Sequence, residues 1–413
     1  MSIKVLDLFA GAGGFSEGFY LNKCDLVAHI EMDKDACSTL STRAIFYALK
    51  KKNKLSHYNK YLLGEISKDD LVKKFKLHKE INSVIHAEIN KDNYSDLIKK
   101  VQERLNGEEL DIIIGGPPCQ AYSMIGRSRD VNGMKGDKRN FLYRYYVEFL
   151  KGLKPKVFIF ENVPGLKTAG NGKYLRDMKL LMNKAGYKTD FKILNAADYG
   201  VPQNRKRVIL IGWNKNSKMK EYPNFKKVER NYIVKDFLSD LPSIKDGHMN
   251  KHMDFKNNSA FLKRIGIRDS ILTDHVTRPH TKRDLQIYKI AINKYNKGDS
   301  LKYNELPSEL ITHKNTKAFL DRYKVVDIKA RAAQTVVAHI SKDGHYYIHP
   351  DWKQLRSLSV REAARLQTFP DSYKFEGSRT SQFKQIGNAV PPMLSKLIAE
   401  KLLTYLHKNG QKT

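Results

Sequence analysis

Short apolar runs recur through the first half of the chain: Val5–Phe9, Leu26–Ile30, Ser83–Ile85, Asp111–Ile114, Val157–Phe160, Phe191–Leu194 and Val208–Ile211. Segments with helical spacing separate them. A strand that is apolar at nearly every position must be covered on both faces, and helical connections supply that cover. The pattern therefore predicts a doubly wound, mostly parallel α/β sheet over residues 1–212. In such sheets chemistry collects in the crevice at the carboxyl ends of the strands. The residues that follow each apolar run are the first place to look for a site.

Three of those ends carry chemistry. The run Asp111–Ile114 leads into Gly115-Gly116-Pro117-Pro118-Cys119-Gln120, in which two prolines present a thiol at a strand end. A lone cysteine is most often a small buried hydrophobe. A nucleophilic one needs positive charge or a helix start nearby to form its thiolate. Arg205 and Arg207, just before the last strand, are candidates for that charge. The run Val157–Phe160 ends in Glu161-Asn162-Val163, a carboxyl placed to act as acid or base.

The first strand runs into Ala10-Gly11-Ala12-Gly13-Gly14, where glycines allow a tight turn and close approach to a ligand. A dinucleotide fingerprint would place a third glycine where this chain has Ser16, which disfavours NAD. Glu31 ends the second strand, a position from which a carboxylate accepts hydrogen bonds from a ribose. Asp7 stands before the glycine turn and suits a cationic group better than a pyrophosphate. S-adenosylmethionine, with a sulfonium, an ammonium and a ribose, fits all three features.

Charge identifies a partner. The 413 residues hold 75 Lys and Arg against 44 Asp and Glu, a net charge of +31, which suits a polyanion. Cys24, Cys37 and Cys119 are too few for a disulfide framework, so a reducing cytoplasm is expected. No apolar run approaches the roughly 18 residues that span a bilayer. The sequence enters its first strand directly, so no signal peptide is expected. His248, His252, His275 and His280 lack a completing ligand set, so they are read as exposed loop histidines and no metal is expected.

Residues 213–356 lose the strand–helix alternation and are polar and basic, the mark of a second, irregular domain. Helical spacing returns over Leu355–Gln367. The stretch from Pro392 to Leu406 is an amphipathic helix expected to rejoin the first domain. Lys50 to Lys74 is a Lys-rich insertion, read as a solvated helical excursion. The segment Ser123–Arg139 is rich in glycine and positive charge, with Ser123, Arg127 and Arg129 as candidate phosphate contacts of a loop that closes over substrate.

Taken in order, these motifs resemble the cytosine-5 DNA methyltransferase family. Asp7-Leu8-Phe9-Ala10-Gly11-Ala12-Gly13-Gly14-Phe15 resembles its cofactor motif, and Pro117-Pro118-Cys119-Gln120-Ala121-Tyr122-Ser123 its nucleophile motif, with Tyr122 where Phe is commoner. Glu161-Asn162-Val163, Gln203-Asn204-Arg205-Lys206-Arg207, Arg361-Glu362-Ala363-Ala364-Arg365 and Gly387-Asn388-Ala389-Val390-Pro391-Pro392 follow in the family's order. Ala87-Glu88-Ile89 departs from the commoner Gly-Asp-Ile but keeps an acid.

The resemblance implies a Rossmann-like S-adenosylmethionine methyltransferase sheet over residues 1–212 and 357–413. A smaller target-recognition domain would occupy 213–356. It implies cofactor contacts from Asp7, Phe9, Gly11, Gly13, Gly14, Glu31, Met32, Glu88, Ile89, Pro118, Leu142, Asn388 and Val390. It also implies a mechanism: Cys119 adds to carbon 6 of a flipped cytosine, a protonated Glu161 serves ring nitrogen 3, and Arg205 holds the carbonyl oxygen. In the second domain Arg278, Lys282 and Arg283 are candidate DNA contacts.

The expected enzyme is a sequence-specific methyltransferase of double-stranded DNA, monomeric, of the prokaryotic modification type, with any cognate restriction endonuclease encoded separately. Three alternatives share parts of this pattern: a transfer-RNA cytosine-5 methyltransferase, a DNA-binding homologue without activity, and a nicotinamide dehydrogenase. Intact Cys119, Glu161 and Arg205 argue against the second, and Ser16 against the third.

Overall fold

The computed structural model describes residues 2–118, 141–249 and 254–406. All the apolar runs become strands of one sheet: β1 Lys4–Leu8, β2 Asp25–Glu31, β3 Val84–His86, β4 Ile112–Gly115, β5 Val157–Asn162, β6 Tyr187–Asn195 and β7 Lys206–Asn214. Their order is β3-β2-β1-β4-β5-β7-β6. The neighbours from β3 to β5 pair parallel, whereas β7 runs antiparallel to both β5 and β6. The cause is the short link between β6 and β7. A parallel return needs a crossover of a dozen or more residues, usually a helix. Here Ala196–Tyr199 forms only a single 3-10 turn. The sheet's order reverses direction between β1 and β4, which opens the crevice beside the end of β1.

Alternate residues of β1 divide the molecule into two layers. Leu6 and Leu8 join one apolar cluster with Tyr146, Leu150, Phe158 and Met178. Val5 joins the other, with Phe15, Phe19, Ile398 and Leu402. The helix Pro392–Leu406 thus packs on the helix Gly14–Leu21, and the Ser395 hydroxyl donates to the Phe15 carbonyl across that contact. A third cluster joins Ala12 of the glycine turn to Val234, Phe237, Val336, Leu358 and Phe383.

The Lys-rich insertion folds as helices Leu55–Leu62, Lys68–Phe75 and His78–Asn82. Tyr58, Leu62, Leu71 and Val72 pack on Ile45, Phe46 and Leu49 of the helix Lys34–Lys51. Residues 213–356 hold one helix of substantial length among the described residues, Lys282–Asn296. Its signal was present in the sequence: Thr281 and Asp284 form a capping box. That helix buries Ile287, Tyr288 and Ile292 in a separate small core with Tyr303, Leu310 and Tyr323. No helix of the described residues is long and apolar enough to cross a membrane.

The reading of the histidines as exposed is corrected for two of them. His275 is 2% exposed, with hydrogen bonds to Ser359 Oγ and the Pro242 carbonyl. His280 faces the Asp246 carboxylate at 2.5 Å. Both brace loops from inside, because an imidazole can bridge two chain segments with its two nitrogens. His252 lies outside the described residues.

Candidate active site

Four strand ends converge on the crevice. At the end of β1, Phe9 and the glycines Gly11 and Gly13 take left-handed backbone angles, which bring the chain into the helix Gly14–Leu21. A side-chain carbon at Gly14 would lie 2.3 Å from the Val390 carbonyl oxygen, so only glycine lets Ala389 and Val390 approach the turn. Beneath the turn the Tyr373 hydroxyl donates to the Ala12 carbonyl. The Arg43 guanidinium lies 4.7 Å from the Tyr373 ring centre and forks onto the buried Glu17 carboxylate at 2.8 and 2.5 Å. The turn therefore rests on a fully buried ion pair.

Two carboxylates face this corner. Glu31 ends β2, and its oxygens accept from Gly11 N–H at 2.7 Å and Asp33 N–H at 2.8 Å. Each carboxylate oxygen has a second lone pair, so acceptor capacity for a ribose hydroxyl remains. Asp7 is 1% exposed; one oxygen accepts from the Ser16 hydroxyl, and Oδ1 is buried without a hydrogen-bond partner. Burial pushes the Asp7 carboxyl up to about 8, the Glu31 charge adds to the rise, and the Ser16 hydrogen bond opposes it. Ser16, which the sequence reading used only to disfavour NAD, is thus the partner that orients Asp7. A side-chain carbon built on Gly11 would meet nothing within 4 Å, so open space fronts the turn.

Met32, just past the end of β2, is 54% exposed. Glu88 is exposed and Ile89 buried just past β3, where Ala87 N–H donates to the Glu31 carbonyl. Asn388 is exposed beside the buried Val390. Leu142 opens the helix Leu142–Leu153.

Near the end of β5 the carboxyl meets a partner from β7. Glu161 Oε1 lies 2.8 Å from Arg207 Nε, and the two side chains are 15% and 12% exposed. A side-chain carbon at Gly116 would lie 2.0 Å from the Glu161 carbonyl oxygen, so the Gly115-Gly116 turn hugs the end of β5. Asn162 Nδ2 donates to the Pro117 carbonyl at 3.2 Å, which holds the diproline in place. Pro118 is half-buried at the end of the described segment, and Cys119, Ser123, Arg127 and Arg129 lie outside the described residues.

Two of the expected contact residues lie inside the protein. Arg205 was expected to meet the base, yet it is fully buried and donates to the carbonyls of Val336 at 2.7 Å and Gly387 at 3.1 Å. Arg205 precedes β7, whereas Arg207 lies within it and turns toward Glu161. Gln203 is likewise a clasp: Nε2 donates to Leu366 O and Gln367 Oε1, each at 2.8 Å, and Oε1 accepts from Val336 N–H. Arg278 was expected to contact DNA, yet it is 8% exposed and its guanidinium donates to Ile340 O at 2.8 Å.

The motif Arg361–Arg365 is also a brace. Arg356 pairs with Glu362, Arg361 with Asp274, and Arg365 with Asp240 and Asp371, all buried. Glu362 would be raised by burial alone, but the Arg356 guanidinium, with help from His349, holds it far below the usual carboxylate range.

Residues 3–72 and 68–404 match the family of C-5 cytosine-specific DNA methylases. The chain is 42% identical over 436 residues to the type II methyltransferase M.Bpa9945I of Bacillus paralicheniformis, covering 96% of this chain and 97% of that one. It is 30% identical to the type II methyltransferase M.DdeI of Desulfomicrobium norvegicum, covering 98% and 89%. The fold matches that of a candidate DNA modification methyltransferase encoded within an E. coli prophage, with a TM-score of 0.64 and 24% identity over 98% of this chain and 100% of that one. The chain belongs to the C-5 cytosine-specific DNA methylase family and is a DNA (cytosine-5-)-methyltransferase.

Proposed function

We propose that this enzyme is the modification methyltransferase of a type II system, acting on double-stranded DNA, with residues 213–356 as its target-recognition domain. Relatives named as type II methyltransferases span nearly the whole chain, which supports the first part. The loss of sheet alternation after β7 and the separate small core around Tyr303 support the second. A cognate endonuclease would be a separate chain, and the methyltransferase would act as a monomer in the cytoplasm.

The residues at the first corner fit S-adenosylmethionine. The unpartnered Oδ1 of Asp7 and the nearby Glu31 carboxylate offer acceptors to a cationic group, and the space before Gly11 admits it. Asp7, Phe9, Gly11, Gly13 and Gly14 would line the methionine and ribose side; Glu31, Met32, Glu88 and Ile89 the nucleoside; Pro118, Leu142, Asn388 and Val390 the rest. S-adenosylmethionine, when bound, supplies the methyl group on its sulfonium.

The ion pair of Glu161 with Arg207 carries the catalytic reading. Carbon 5 of cytosine is a weak nucleophile. The Cys119 thiolate forms a bond to carbon 6, while the Glu161 carboxyl protonates or hydrogen-bonds ring nitrogen 3, and carbon 5 gains enamine character. Arg207 takes the role first given to Arg205: it orients Glu161 and holds the carbonyl oxygen. After carbon 5 is methylated, loss of its proton breaks the carbon–sulfur bond and frees the thiolate. The target base must leave the helix to expose both ring faces.

Cys119→Ala tests this directly. Methyl transfer is expected to vanish while S-adenosylmethionine binding stays near wild type. Duplexes carrying 5-fluorocytosine should trap a covalent adduct with the wild-type protein only, because fluorine cannot leave as a proton does. Methylation by the Cys119→Ala protein at the wild-type rate would refute the assignment.

A further inference from the structure

The lysines of the insertion, Lys60, Lys73, Lys74 and Lys76 among them, are exposed, yet one face of its helix Leu55–Leu62 meets a distant part of the chain. Tyr58 and Tyr61 stand three residues apart and so share that face. Tyr58 is fully buried, and its hydroxyl donates to the Ser372 carbonyl at 3.0 Å. The Tyr61 hydroxyl donates to Glu376 Oε1, which also accepts from Thr42 Oγ1 at 2.6 Å. The Glu376 N–H donates to Thr39 Oγ1 at 2.8 Å, and its carbonyl accepts from Gln385 Nε2 at 2.9 Å. A solvated excursion would need only its apolar core with Ile45, Phe46 and Leu49; these polar bonds clasp a second segment.

Between Ser372 and Glu376 stands Tyr373, buried beneath the glycine turn. Its hydroxyl donates to the carbonyl of Ala12, the residue between Gly11 and Gly13. A side-chain carbon on Gly13 would lie 2.9 Å from that hydroxyl, and one on Gly14 would lie 3.0 Å from the Phe369 ring. Gly11 and Gly13 hold left-handed angles, and glycine by itself enforces no single conformation. The geometry of the turn is therefore set by what packs against it. A binding site keeps its shape only when the groups behind it are locked by packing and hydrogen bonds.

The contacts run without a break from the insertion to the turn: Tyr58 and Tyr61 to residues 372–376, and Tyr373 to Ala12. Arg43 reinforces the middle of this path. Its Nη1 donates to Ser372 Oγ at 3.4 Å, and its guanidinium lies against the Tyr373 ring.

We propose that the helix Leu55–Leu62 is a positioning element of the cofactor site: Tyr58 and Tyr61 hold residues 372–376 so that Tyr373 fixes the glycine turn. Docking of this helix and binding of S-adenosylmethionine then strengthen each other, because coupling between two sites is reciprocal. The proposal rests on the reading that the glycine turn receives S-adenosylmethionine. Both tyrosines act through Tyr373.

The Tyr58→Phe/Tyr61→Phe protein keeps both rings and loses both hydroxyls. In calorimetric titration without DNA, it should bind S-adenosylmethionine about tenfold more weakly than wild type. In turnover, KM for S-adenosylmethionine should rise by a similar factor, with kcat at saturation and KM for DNA within about twofold of wild type. Ile292→Ala is the control. It lowers stability from the separate core around Tyr303 and should leave S-adenosylmethionine affinity unchanged. Hydrogen exchange reads the reciprocal effect in the wild-type protein. An eight-residue helix is not stable alone, so its amides exchange when it undocks. Saturating S-adenosylmethionine should slow exchange at 58–62 about tenfold, together with that at 9–15. Wild-type S-adenosylmethionine affinity in the double variant overturns the proposal, as does an equal loss in Ile292→Ala or a loss confined to kcat or to KM for DNA. Slower exchange at 9–15 with none at 58–62 overturns the coupling while the cofactor reading stands. No slowing at 9–15 removes the cofactor reading, and the proposal with it.

Discussion

At the scale of single residues, Arg205 and Arg207 show how two identical side chains two positions apart take unrelated work. Arg205 ties the start of β7 to the Val336 and Gly387 carbonyls inside the protein, whereas Arg207 pairs with Glu161 at the crevice. Arg205→Ala should cost at least about 3 kcal/mol of stability, since two charge-assisted hydrogen bonds and buried volume are lost together. Arg207→Ala should leave the melting temperature nearly unchanged and depress methyl transfer. Denaturant melts paired with single-turnover rates would distinguish them, and a folded but inactive Arg205→Ala protein would reverse the two roles. Glu161→Gln keeps a donor for ring nitrogen 3 but cannot give up a proton. Its transfer rate should fall by about two to four orders of magnitude. A wild-type single-turnover rate would make Glu161 a structural partner of Arg207.

At the scale of elements, the contact between β1 and the helix Gly14–Leu21 carries an unusual polar pair, Asp7 and Ser16. Burial raises the Asp7 carboxyl to about 8. In the unfolded chain the same group ionises near pH 4, the ordinary range for aspartate. The folded state therefore holds the proton more tightly. That contribution to stability is complete below about pH 4 and is lost as the pH rises toward 8. Asp7→Asn should match the wild type in thermal melts near pH 4 and exceed it increasingly up to pH 8, in protein free of S-adenosylmethionine. The same variant should bind S-adenosylmethionine more weakly, since it cannot ionise beside the bound cation. A melting difference independent of pH would show that Asp7 is ionised in the folded protein throughout.

At the scale of the whole molecule, a net charge of +31 predicts DNA affinity that falls steeply with salt, because phosphate contacts release counterions. Lys50, Lys51 and Lys52 are exposed where the insertion packs on the helix Lys34–Lys51. Neutralising them is expected to leave the salt slope unchanged, and a shallower slope would bring the insertion into the DNA interface. Catalysis and sequence choice should also separate. An alanine scan of 213–356, read as methylation across a randomised library, should relax single positions of the preferred sequence at roughly 1–3 kcal/mol per base reader. Changes in preference confined to substitutions in 1–212 would place recognition on the sheet.

Strand positions were legible because burial on both faces demands unbroken apolar runs, and the chain carries them as β1 to β7. The glycine turn, Glu31 and Glu161 were legible as well, since strand ends are where a sheet of this kind exposes polar groups. Other features depended on packing between distant segments. The reversal of β7 follows from a link too short for a crossover, and its place between β5 and β6 is visible only in the paired sheet. Apolar periodicity marks which side chains avoid water, but it is silent on which guanidinium finds carbonyls to hold. Arg205 could go inside only because the segments at Val336 and Gly387 arrive beside it, and Arg361 and Arg365 only because Asp274, Asp240 and Asp371 do. A buried charge needs partners, and in this protein those partners are supplied by chain more than a hundred residues away from Arg205 and Arg365 in sequence as well as by near neighbours.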